Sequence, residues 1–193
     1  MPIRSIFASV LVALFGQSAM AECVTAADLE RGIRVTFDNG DTTTLRAVSD
    51  GMTEVFEYMT WNENIGRYQT YLGLYYVDEI MLDASGEPQP ETRRTTRYDV
   101  PVTELPVPQA DLAPLDLEIM AREFTRSMMA ETQSLVFGPA DPIILDGCIY
   151  KAIAVGQRDR PGEATQRDKY YYYLPDLGVA FIVAWTNGLS VVE

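Results

Sequence analysis

The stretch Asp116-Leu117-Glu118-Ile119-Met120-Ala121-Arg122-Glu123-Phe124-Thr125-Arg126-Ser127-Met128-Met129-Ala130 decides the fold. Read at helical spacing, Leu117, Met120, Ala121, Phe124 and Met128 fall on one face, and Glu118, Arg122 and Arg126 on the other. Asp116 is placed to cap the N-terminus, and β-branched residues are few. The spacing predicts the chain's one helix over 116–130, with a strand as the alternative reading. Immediately before it, Pro101, Pro106, Pro108 and Pro114 preclude both a helix and a central strand over 101–114. That segment reads as an extended crossing within one domain.

On either side of this segment the pattern is that of strands. Ile33, Val35 and Phe37 alternate with Arg34, Thr36 and Asp38, the period of a half-buried strand. Asn39-Gly40 suggests a two-residue hairpin loop, but that register splits the apolar residues between two faces. A three-residue loop, Asp38-Asn39-Gly40, sets Ile33 opposite Leu45 and Val35 opposite Thr43 and puts Gly40 where a left-handed residue is needed. Further strands are expected over 53–60, 67–77 (one long strand), 93–100, 143–156, 169–174 and 178–186, with loops over 84–92 and 157–168. Val179 to Trp185 is apolar on both faces, so it should be central or covered on both sides. Asn187-Gly188 suits a tight turn.

The N-terminus has three parts: Arg4, an apolar run from Ile6 to Phe15, and Ala19-Met20-Ala21. Together they read as a secretory signal peptide over 1–21, cleaved near Ala21. The run is too short for a permanent anchor, and Glu22 between Ala21 and Cys23 argues against a lipid-bearing cysteine. Residues 22–193 then form a single mainly-β domain in the periplasm or outside the cell. Removal of 1–21 takes away one base, Arg4, and leaves a net charge of −14. Such a surface repels nucleic acid and anionic lipid, so neither is an expected partner. In an oxidising compartment the two cysteines, Cys23 and Cys148, are expected to form a disulfide.

The chain has no histidine and two lysines, Lys151 and Lys169. This excludes Ser-His-Asp and Cys-His catalysis and the commonest zinc ligand. No phosphate-cradling or dinucleotide motif is present, and no cofactor or metal is expected. Asp38-Asn39-Gly40-Asp41 lacks the remaining ligands of a calcium loop and reads as a turn. A hydrolase would rely on carboxylates such as Glu54 with Glu57 or Asp78 with Glu79, but no catalytic residue can be nominated. Arg93 and Arg97 share a strand face and Arg94 points the other way, an arrangement that reads as pairing with abundant acids.

The distinctive feature is tyrosine. Tyr170 to Tyr173 run consecutively, with Tyr170 and Tyr172 on one face of a strand and Tyr171 and Tyr173 on the other. Tyr68, Tyr71, Tyr75 and Tyr76 form a second group. Tyrosine is both a favoured strand residue and an amphipathic wall for a sugar, lipid or peptide.

Gly147-Cys148-Ile149-Tyr150, a charged hairpin loop and Tyr173-Leu174-Pro175-Asp176-Leu177-Gly178 resemble the C-terminal end of uncharacterised exported proteins of Gram-negative bacteria. Residues 145–185 also look like the last hairpins of periplasmic half-barrels that carry lipoproteins. The resemblance implies an open sheet wrapped around a helix, with an apolar cavity, and transfers no functional residue. The fold expected is therefore mainly β: a curved antiparallel sheet or half-barrel with one packed helix. The function expected is a non-catalytic periplasmic protein binding an apolar ligand or lipid in that sheet. Tyr71, Tyr75, Tyr171, Tyr173, Phe124 and Met128 are the candidate lining. An envelope protein-protein interaction module and a carboxylate-based hydrolase are the alternatives.

Overall fold

The structure is a computed structural model that describes residues 23–60, 65–124, 126–161, 167–186 and 191–192. The signal sequence read in 1–21 and the turn expected at Asn187-Gly188 lie outside the described residues. The strands are β1 (Ile33–Thr36), β2 (Thr42–Ser49), β3 (Met52–Tyr58), β4 (Ile65–Tyr71), β5 (Tyr75–Leu82), β6 (Pro88–Tyr98), β7 (Leu115–Glu123), β8 (Met129–Pro139), β9 (Ile143–Leu145), β10 (Cys148–Tyr150), β11 (Ile153–Pro161), β12 (Arg167–Leu174), β13 (Val179–Thr186) and β14 (Val191–Val192). They form one antiparallel sheet in chain order, interrupted once: β9 and β10 make a separate hairpin between β8 and β11. The only helical turns among the described residues are 3-10 turns at Ala26–Glu30 and Val102–Glu104.

The helix expected over 116–130 is absent, and its place is taken by β7, a turn and β8. Burial alternates strictly along β7: Leu117, Ile119 and Ala121 are buried, whereas Asp116, Glu118, Met120 and Arg122 are exposed. The physical period is two, and Met120 on the solvent face is what imitates a helical stripe. The residues of that helical face are dispersed, Leu117 and Ala121 buried and Met120 and Phe124 exposed. Phe124 is half exposed in the β7–β8 turn at φ 43°, its N–H donating to the Arg93 carbonyl at 2.6 Å. Met128 lies just before β8.

Other boundaries shift for similar local reasons. The long strand expected over 67–77 breaks into β4 and β5 at Leu72-Gly73-Leu74, where Leu72 and Gly73 have φ of 57° and 70°. Gly73 is required there, since a Cβ would sit 2.1 Å from the Ala180 carbonyl oxygen. The strand expected over 143–156 divides into β9, β10 and β11 at Asp146-Gly147, and β6 begins at Pro88 within the expected loop. The β1–β2 register is the one the apolar pattern demanded, Ile33 opposite Leu45 and Val35 opposite Thr43, with Gly40 at φ 88°.

Two apolar clusters hold the sheet. One contains Tyr75, Ile119, Leu135, Val155, Tyr171 and Ala180. The other contains Leu45, Val55, Cys148, Tyr150, Val179 and Phe181. Ala180 therefore faces one core and its neighbours Val179 and Phe181 the other, and all three are at most 5% exposed. This is why the segment is apolar on both faces although β13 lies near the end of the strand order. The sheet does not close: its first strands lie over its last ones, with Phe37 against Phe181 at 6.3 Å between ring centroids. The crossing segment 101–114 is pinned where the Tyr75 hydroxyl donates to the Pro106 carbonyl at 2.7 Å.

Candidate functional site

The overlap leaves a gap. Ile33, Val35 and Leu45 line one side of it, and Leu174, Val179 and Phe181 the other; its volume is about 470 Å³. The β9–β10 hairpin closes it through Ile144, Leu145, Cys148 and Tyr150. The hairpin is fastened to the N-terminal segment by the Cys23–Cys148 disulfide, with 5.6 Å between Cα atoms, and by the Tyr150 hydroxyl donating to the Val24 carbonyl at 3.0 Å. Only a few groups in the lining are charged, Arg34 and Asp146. The edge backbone of β13 is partly satisfied from elsewhere, since the Ala180 N–H donates to the Leu72 carbonyl at 2.7 Å.

A second, smaller space of about 270 Å³ lies between the β1–β2 turn, the end of β3 and Ile182 to Ala184. Glu57 lines it and is only 6% exposed. The local sequence explains the contacts of Glu57. It sits directly opposite Gly66, and the Tyr68 ring folds back over that glycine, where a Cβ would lie 2.1 Å from the Tyr68 hydroxyl oxygen. Tyr68 thereby hydrogen-bonds Glu57. Burial raises the Glu57 carboxyl to about 7, while the Lys169 ammonium and the Tyr68 bond restrain the rise. Lys169 also lies over the Tyr76 ring, 4.6 Å from its centroid. Burial likewise raises the Tyr68 and Tyr76 hydroxyls, so both remain protonated donors.

A partly buried ionic cluster centres on Arg94. Arg94 reaches Glu131 at 2.6 Å, Glu79 at 3.4 Å and Glu123 at 3.5 Å. Glu131 is buried, and its Oε1 has no hydrogen-bond partner among the described residues. The carboxylate pairs considered for hydrolysis do not converge. Glu54 and Glu57 are three apart on β3 and face opposite sides, Glu54 pairing with Arg46. Asp78 pairs with Arg93 at 2.8 Å on one side and Glu79 with Arg94 on the other. The Asp41 carboxylate accepts bonds from Thr60 N–H and hydroxyl, at 2.7 and 2.9 Å, which ties down the turn.

Four of the candidate ligand residues come together, as core packing: Tyr75, Tyr171 and Tyr173 are buried in one cluster and Tyr71 packs against it. Tyr71 stacks on Tyr75 at 6.2 Å. Phe124 and Met128 belong to the β7–β8 turn and join neither cluster. The gap residues Ile33, Val35, Val179 and Phe181 were not nominated, although the two-faced apolarity of 179–185 is the signal that β13 is covered. Glu57 also carried a signal, as an acid in phase with Thr53 and Val55 on the inward face of β3.

No family model, curated protein or solved structure matches the chain. Among the described residues no helix is long and apolar enough to cross a membrane, and no group of three or more acids or cysteines is placed to hold a metal ion.

Proposed function

We propose that this is an exported, non-catalytic binding protein that takes a small apolar ligand, such as an acyl chain, into the gap between the overlapping ends of its sheet. The observation that carries the reading is the gap itself: about 470 Å³, walled by aliphatic and aromatic side chains and roofed by the disulfide-held hairpin. That volume lies in the usual range for ligand sites, and such sites combine an apolar wall with a few polar groups. Arg34 and Asp146 supply those groups. The signal sequence read in 1–21 and the disulfide support export to a periplasmic or extracellular space.

Native mass spectrometry of gently purified protein, with fluorescence titration of an environment-sensitive fatty-acid probe, tests the reading. Co-purified lipid or saturable probe binding is expected, weakened at least about tenfold in Val35→Trp, which fills the gap. Absence of both in the wild type, or unchanged binding in Val35→Trp, rejects it.

A second reading rests on a separate observation. Ile144 and Ile149 face each other across the β9–β10 hairpin and are 68% and 73% exposed. An apolar pair so placed suits contact with another envelope protein. Loss of pull-down partners in an Ile149→Ser variant that keeps probe binding would favour it, since Ile149 does not line the gap.

A further inference from the structure

The face of β8, β11 and β12 opposite the core that holds Leu135, Val155 and Tyr171 carries an open trough of about 650 Å³. Three cross-strand rows build it. Gly138, Ala154 and Tyr172 form one row; Val136, Gly156 and Tyr170 the next; Ser134, Arg158 and Asp168 the last. The trough exists because the middle positions are small. At both Gly138 and Gly156 a Cβ would meet nothing within 4 Å, and neither backbone is in the left-handed region. No close packing or turn explains a glycine in these strands, where it normally weakens the sheet. Their effect is to bare the backbone floor between Val136, 56% exposed, and Tyr170, 45% exposed.

We infer that this trough is a binding site for a neutral saccharide, separate from the apolar gap. Tyr170 and Tyr172 are two residues apart on one strand face and both line the trough; Tyr172 is partly buried against the second core cluster, and the exposed Tyr170 offers a surface suited to the C–H face of a sugar ring. The far end is polar. Arg158 grips Asp168 with Nε and Nη2 at 2.9 and 3.1 Å, leaving further guanidinium N–H donors, and Ser134 and Asp116 stand beside it. Fixed donors and acceptors next to an aromatic wall match a hydroxyl-rich ring. A wholly apolar ligand would desolvate Arg158, Asp116 and Ser134 without replacing their bonds. A flat protein surface would not reach a floor sunk below its walls. The charge of −13 on the full chain disfavours anionic polymers.

Native affinity electrophoresis of the whole exported protein tests this, through gels holding hydroxyethyl cellulose, laminarin or dextran, with alginate as the anionic comparison. Retardation by at least one neutral polymer and not by alginate is expected. Gly156→Val should abolish it, because it fills the floor with a side chain that strands favour and whose Cβ meets no neighbour within 4 Å. Tyr170→Ala should weaken it at least about tenfold. Thermal melts of both variants confirm folding. The inference is overturned if no neutral polymer retards the wild type, if alginate retards it equally, or if folded Gly156→Val is retarded as strongly as the wild type.

Discussion

Replacing Glu57 with glutamine removes a carboxyl that burial holds at about 7, against an ordinary value of 4.5. Below about pH 4.5 the group is protonated both folded and unfolded, and it costs nothing. Between 4.5 and 7 the unfolded chain gives up the proton while the folded chain keeps it, so stability falls as pH rises. Above about 7 the loss is complete. At about 1.4 kcal/mol per tenfold change in proton affinity, that interval amounts to roughly 3 kcal/mol. Glutamine has no proton to lose and keeps an oxygen for the Tyr68 hydroxyl to bond. Glu57→Gln should therefore match the wild type near pH 4.5 and exceed it by roughly 3 kcal/mol at pH 8. Urea unfolding followed by intrinsic fluorescence at pH 4.5, 6, 7 and 8 measures the difference, and other acids cancel in the comparison. A difference that does not grow with pH, or a variant less stable than the wild type at pH 8, refutes the reasoning.

Arg94→Met strips the counterion from Glu131 and should cost about 3–5 kcal/mol in urea unfolding at pH 7, as expected when a buried acid loses its base. Met120→Lys should change stability by less than about 0.5 kcal/mol, whereas Ile119→Lys should unfold the protein or cost at least about 3 kcal/mol. Far-UV circular dichroism and melts of these two neighbours check directly that β7 is a strand. Gly73→Ala puts a Cβ against backbone at Ala180 and at a positive φ, and should cost about 2–4 kcal/mol by thermal melt.

Much of the sheet was legible because half-buried strands write their period into the sequence. The β1–β2 register followed from keeping Ile33, Val35, Leu45 and Thr43 on matching faces. The segment around β7 was misread because Leu117, Ala121 and Phe124 satisfy a helical spacing by coincidence. Ile119 belonged to the alternation Leu115, Leu117, Ile119, Ala121, and that signal was stronger. The breaks at Leu72-Gly73 and Asp146-Gly147 were hidden because both flanks are strand-like and the turns are tight. The gap was not legible, since it depends on the first strands lying over the last, a contact between residues over a hundred positions apart. The trough was half legible: Tyr170 and Tyr172 were assigned a common face, but Gly138 and Gly156 acquire meaning only when β8, β11 and β12 are set side by side.

Pairing between sequence neighbours has a consequence for assembly. Such a ladder can zip from one end, most strands docking on the one made just before, with the 101–114 crossing and the β9–β10 hairpin as the longer segments to close. The lap of first strands over last is different, because it brings together parts of the chain made early and late. Cys23 and Cys148 sit on either side of that lap, 125 positions apart, so their oxidation works as a buckle fastened after the belt is wound.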